Sequence, residues 1–127
     1  MRNLIVATKN KGKYQEMKEI LSGMPFNVIS MEDASLDIEI EETGQTFEEN
    51  ALIKAREVSR LTNEIVIADD SGLEIEYLDG APGIYSSRFA GKGASDEDRN
   101  RKLLKLLEGV PFEKRKARFV CVIAVVY

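Results

Sequence analysis

Two short runs, Leu4-Ile5-Val6-Ala7 and Ile65-Val66-Ile67-Ala68, contain no polar residue at all. A strand that faces water on one side alternates apolar and polar residues. A wholly apolar run of this length instead fits a strand covered on both faces, as in a parallel sheet flanked by helices. Each run stops abruptly at polar residues, Thr8-Lys9-Asn10 after the first and Asp69-Asp70-Ser71-Gly72 after the second. The expected class is therefore α/β, with functional groups at the carboxyl ends of the strands, where ligands of open α/β sheets lie.

The segments between these runs fit that reading. A helical face of Tyr14, Met17, Ile20 and Leu21 spans Lys13 to Leu21 and is ended by Gly23 and Pro25. Phe26-Asn27-Val28-Ile29 reads as a second strand. Thr46 and Glu49 have capping-box spacing, and Phe47, Ala51, Ala55, Val58 and Leu61 then recur at helical intervals. Leu73 to Leu78 reads as a strand, followed by the turn signal Asp79-Gly80. Ser95 can cap a third helix through Leu103, Leu104, Leu106 and Leu107 to Gly109, and Ala117 to Tyr127 is a final strand. With 127 residues and no linker-like stretch, the chain reads as one domain, 1–127.

Composition removes several function classes. There is no histidine, which excludes Ser-His triads and His-ligated zinc, and the one cysteine forms no disulfide framework. The formal charge of −4 argues against general binding to nucleic acid or anionic membrane. No apolar run reaches the length of a membrane span and no signal-peptide pattern opens the chain, so a soluble cytoplasmic protein is expected. Any metal must be held by oxygen ligands.

Three segments carry candidate chemistry. Thr8-Lys9-Asn10-Lys11-Gly12-Lys13 joins a strand to a helix, a place where backbone N–H groups attract phosphate. The plain alternative is a solvated basic turn with Asn10 as helix cap; the Walker A pattern is absent. Asp69-Asp70-Ser71-Gly72 offers two carboxylates at a strand end, which suits Mg²⁺ accompanied by substrate phosphates. Alternating strand geometry sends one of the pair toward a cleft and the other elsewhere; the alternative is a simple polar turn. Between Glu32 and Glu49 lie eight carboxylates and no basic residue, a stretch that is either a solvated loop or the source of a second metal ligand. Lys54 reads by default as a surface lysine.

Taken together, five motifs in order and in spacing resemble the inosine triphosphate pyrophosphatase family. They are T-x-N-x-x-K at Thr8 to Lys13, E-E-T-G-x-T-F-x-E-N-A-x-x-K-A at Glu41 to Ala55, and A-D-D-S-G-L at Ala68 to Leu73. The other two are L-x-G-A-P-G-I-Y-S-x-R at Leu78 to Arg88 and R-x-A-R-F-x-C at Arg115 to Cys121. The resemblance implies an elongated, twisted mixed sheet with flanking helices in two lobes around a cleft. It implies Mg²⁺-dependent hydrolysis of ITP, dITP or XTP to the monophosphate and pyrophosphate, by a homodimer that cleanses the nucleotide pool. It carries Thr8, Asn10 and Lys13 over as the phosphate loop and Glu42 and Asp70 as metal-binding acids. Asp70 is also the catalytic acid, and Lys54 and Ser71 are substrate contacts. Glu49, Asn50 and Arg88 sit in the motifs without an assigned role. A Maf-like pyrophosphatase with another base preference and a non-catalytic nucleotide-binding fragment are the alternatives.

The later G-F-G-Y-D-P and S-H-R motifs of that family, which help recognise the base, do not occur. The chain also closes on the apolar run Val120 to Val126. A strand apolar on both faces is expected to lie centrally in a covered sheet. A truncated second lobe, self-association and weak base selectivity are the matching expectations.

Overall fold

A computed structural model describes all 127 residues, in the order β1 (Arg2–Val6), α1 (Lys11–Ile20), β2 (Phe26–Ser30), α2 (Phe47–Thr62), β3 (Ile65–Ile75), α3 (Asp96–Leu106) and β4 (Ala117–Val126). The four strands form one mixed sheet in the order β2-β1-β3-β4. β1 pairs in parallel with β2, Leu4 opposite Val28, and in parallel with β3, Leu4 opposite Ile65. The α/β class is as expected. Contacts divide the chain into two compact units, residues 1–70 with 122–127, and residues 71–121.

In the first unit the two apolar runs are buried from both sides, for the reason their composition suggests. Ile5, Val6 and Val66 are fully buried. Odd residues of β3 and even residues of β1 share one face: Leu4, Val6 and Ile65 pack with Tyr14, Met17 and Leu21 of α1. The opposite face, Ile5, Ala7, Val66 and Ala68, packs against Ala51, Ala55 and Val58 of α2 and against Ala124 of β4. Burying an aliphatic side chain of this kind contributes roughly 1.5–3 kcal/mol. β1 and β3 are thus neighbours whose helical connections leave by opposite faces. This is the switch point of an open α/β sheet.

The helix ends follow local chemistry. Asn10 caps α1, its Oδ1 accepting the Lys13 N–H at 3.0 Å, so the helix starts at Lys11 and includes Gly12. Thr46 caps α2 by accepting the Glu49 N–H at 3.1 Å. Glu49 does reach back, but to the N–H of Gln45 at 2.6 Å rather than to the cap itself. Asn63 closes α2 in the left-handed conformation, φ 58°.

The second unit has its own small core of Ile75, Leu103, Leu107 and Val110. Ser95 and Asp98 form a reciprocal capping box on α3. Leu103 and Leu107, four apart, are buried, whereas Leu104 and Leu106 face outward. The expected separate strand over 73–78 is instead the end of β3, followed by a 3-10 turn at Glu76–Leu78. The Leu73 N–H is held by Ser86 Oγ at 2.9 Å, which keeps the chain extended beyond the aspartates.

β4 differs from its expected place. It is the edge strand, not a central one. Val122, Ala124 and Val126 pack against the first core, while Ile123, Val125 and Tyr127 are 48%, 48% and 97% exposed. The run is apolar on both faces, and one of them is left open. No helix is long and apolar enough to cross a membrane.

An exposed apolar edge drives association. Sedimentation velocity is expected to show species heavier than the 14.2 kDa monomer, and Ile123→Lys combined with Val125→Lys should restore the monomer. A monodisperse parental monomer would contradict this reading of the edge.

Candidate functional site

The site grows from the carboxyl end of β3. Asp69 and Asp70 are interior residues of a continuous strand, so the strand reading holds over the alternative of a turn at Asp69-Asp70-Ser71-Gly72, and the strand runs on past them. In an extended chain neighbours point to opposite faces. Asp69 follows Ile65 and Ile67 onto the α1 face, and Asp70 follows Val66 and Ala68 onto the α2 face. Both are nearly buried, 2% and 7% exposed.

A buried carboxylate needs partners. Asp69 Oδ2 accepts from Lys13 Nζ at 2.9 Å. Lys13 reaches it because the Asn10 cap starts α1 beside the end of β1. On the other face Lys54 Nζ pairs with Glu42 Oε1 at 3.0 Å, with both side chains largely shielded. Lys54 is therefore a packed, paired lysine and not the surface residue its default reading suggested. Asp70 lies within electrostatic range of that pair. Burial raises its carboxyl above the ordinary Asp range, and the negative charge of Glu42 raises it further. Lys54, the Asn50 amide and, with opposite sign, Asp69 exert smaller effects. Asp70 Oδ2 is buried and closes no hydrogen bond of full geometry.

Asn50 was left without a role in the sequence and proves to be part of this cluster. It is fully buried. Its Oδ1 accepts the Gly44 N–H at 2.7 Å, which ties the acidic segment carrying Glu42 to α2. The close approach needs glycine: a Cβ on Gly44 would fall 2.6 Å from Asn50 Oδ1 and 2.7 Å from Glu49 Cβ. The signal was in the sequence, as an amide within the stripe Phe47, Asn50, Ala51, Ala55, Val58 that is otherwise apolar.

The remaining expected residues divide as follows. Thr8 Oγ1 accepts the Asn10 N–H at 3.1 Å, bracing the loop. Thr8, Lys9, Glu42 and Lys54 line one hollow of about 330 Å³. Thr8, Lys9, Asn10 and Lys11 also line a larger one of about 680 Å³, closed by Glu32, Asp33 and Asp37. The oxygen of Asn10 is engaged in the cap. Ser71 is half-buried in β3. Two groups result: Lys13 with Asp69 on the α1 face, and Glu42, Lys54, Asn50 and Asp70 on the α2 face.

No three Asp, Glu or Cys side chains converge as a protein-only metal cage. Glu42 and Asp70 nevertheless fit a hard divalent cation. The two carboxylates act on each other electrostatically, and the buried Asp70 Oδ2 closes no hydrogen bond of full geometry. Mg²⁺ commonly takes one or two carboxylates and fills its other positions with water and phosphate.

The profile of the Ham1 family matches residues 4–127. The chain belongs to the Ham1 family. A dITP/XTP pyrophosphatase of Thermoanaerobacter sp. (strain X514) is 58% identical over 123 residues, which are 97% of this chain and 62% of that protein. The dITP/XTP pyrophosphatase of Caldanaerobacter subterraneus subsp. tengcongensis is 57% identical over 127 residues, 99% of this chain and 64% of that protein. A HAM1 protein structure from Coxiella burnetii superposes with a TM-score of 0.89 at 45% identity, covering 98% of this chain and 63% of that one. The chain thus spans somewhat over three-fifths of the length of the relatives it matches.

The raised carboxyl of Asp70 has a consequence for stability. The native state binds this proton more tightly than the unfolded chain does. The resulting stabilisation is complete below the unfolded Asp value of about 3.9 and is lost as pH rises through the raised native value. Asp70→Asn escapes that loss. Its Tm relative to the parent should climb as pH rises from about 4 through the raised native value in thermal unfolding. Parallel curves of Tm against pH would contradict the assignment.

Proposed function

We propose that this chain hydrolyses the triphosphates of deaminated purines, ITP, dITP and XTP, releasing the monophosphate and pyrophosphate. The observation that carries the reading is the α2-face cluster. A buried aspartate of raised proton affinity, paired directly with no cation, lies beside a shielded lysine–glutamate pair at the switch point of the sheet. The names of the curated relatives supply the substrate class.

In this reading Glu42 and Asp70 would hold Mg²⁺, which would supply charge neutralisation at phosphate oxygens. The residues of the chain do the rest. Water attacks the α-phosphorus, and the bond to the bridging oxygen of the leaving pyrophosphate breaks. Asp70 accepts the proton of that water, since its carboxylate has no direct ion pair of its own. Asp69 is less suited, because its Oδ2 is engaged by Lys13 Nζ at 2.9 Å. Lys54 balances charge developing on the pyrophosphate. Lys13 and the Thr8–Asn10 loop receive the phosphate chain, and Ser71 contacts substrate beside Asp70. A cytoplasmic homodimer belongs to the same proposal.

The test is pyrophosphate release from ITP, XTP, ATP and GTP with Mg²⁺ and with chelator. The expected outcome is Mg²⁺-dependent release that favours ITP and XTP. Asp70→Asn should lower kcat by about 10²- to 10⁴-fold, the usual contribution of a general acid or base. Nucleotide binding without hydrolysis by the parent would favour a non-catalytic binding role. Full activity of Asp70→Asn would overturn the assignment of the base.

A further inference from the structure

Asn50 is the one fully buried polar side chain of α2, on a helix face otherwise built of Phe47, Ala51, Ala55 and Val58. Its two ends are used differently. Oδ1 accepts the Gly44 N–H at 2.7 Å. Nδ2 is buried and closes no hydrogen bond of full geometry, as is also true of Asp70 Oδ2. A buried amide that packing alone does not require points to a role beyond the core. A core position at this depth would be better filled by leucine or alanine if packing were its only purpose.

Two further observations bear on the same side chain. Gly44 follows Glu42 by two residues, so the Asn50–Gly44 bond sets where the Glu42 segment meets α2. A Cβ at Gly44 would collide with Asn50 Oδ1 at 2.6 Å, so the contact is as close as a backbone allows. At its other end the Asn50 amide lies within side-chain hydrogen-bonding reach of Asp70. Lys54, one helical turn after Asn50, pairs with Glu42.

We propose that Asn50 is a positioning residue of this site, a buried strut whose oxygen fixes the Glu42 segment through Gly44 and whose amide faces Asp70, so that one side chain sets the spacing of the two carboxylates. The inference rests on the reading of Glu42 and Asp70 as a cation-holding pair. Asn50 touches neither substrate nor cation. It acts through the two acids. Residues that orient metal ligands typically change metal affinity or activity by 10- to 100-fold when removed.

The test uses Mn²⁺ as probe, titrated by electron paramagnetic resonance without nucleotide, alongside kcat and KM for ITP. Asn50→Ala should weaken Mn²⁺ binding about tenfold or more. In an Asp70→Asn background the same change should have little further effect, because the acid it positions is already altered. Asn50→Asp keeps an acceptor for Gly44 but replaces the donor facing Asp70 with an anion. It should lower kcat about tenfold with KM little changed. This second variant decides the matter if Asn50→Ala does not fold. The proposal is overturned if Asn50→Ala leaves Mn²⁺ affinity unchanged, if it weakens binding equally in both backgrounds, or if Asn50→Asp keeps parental kcat. A parent that binds Mn²⁺ and hydrolyses ITP while the Asn50 variants match it defeats this inference alone. A parent that does neither defeats the cation-site reading and the inference with it.

Discussion

Successive side chains of a strand point to opposite faces, and in β3 both faces are covered. The odd residues Ile65 and Ile67 meet α1, and the even residues Val66 and Ala68 meet α2 and β4. When the chain then places two aspartates in succession, alternation separates them. Asp69 is delivered to Lys13 at the start of α1, and Asp70 to Glu42, Lys54 and Asn50. The rest of the site depends on that separation. A single extra residue before Asp69 would exchange the two environments and leave each acid without the partners it now has.

The two environments hold their carboxylates on different terms. Asp69 is 2% exposed and has a direct ion pair with a lysine that remains partly open to solvent. Asp70 has no direct cation of its own. Lys54 is committed to Glu42 at 3.0 Å, and Asp70 feels that pair as one negative and one positive neighbour. Burial and Glu42 together outweigh Lys54 and Asn50, so the carboxyl is pushed upward. Desolvation without a direct counter-charge is what pushes it.

Much of this was legible in the sequence. The two unbroken apolar runs signalled doubly covered strands, because each is short, has no polar side to turn to water and ends at polar residues. Thr46 and Ser95 marked helix starts through capping chemistry that acts within three or four residues. Three things were not legible. The edge position of β4 escaped, since a strand apolar on both faces reads the same whether its second face is covered or open. The continuation of β3 through Asp69-Asp70-Ser71-Gly72 escaped because those residues are equally good in a turn, and a distant contact, Ser86 with Leu73, keeps them extended. The role of Lys54 escaped because only the return of the Glu42 segment makes it a buried partner. Asn50 stood in plain view as an amide in an apolar stripe, but its partners come from Gly44 and β3.

The face assignment of the two aspartates is open to a direct measurement, a pair of double-mutant cycles read by urea unfolding. Lys13→Ala with Asp69→Asn should show coupling above about 0.5 kcal/mol, as residues in contact do. Lys13→Ala with Asp70→Asn should be additive, although the second aspartate is the very next residue. Equal coupling in both cycles, or coupling only between Lys13 and Asp70, would contradict the account.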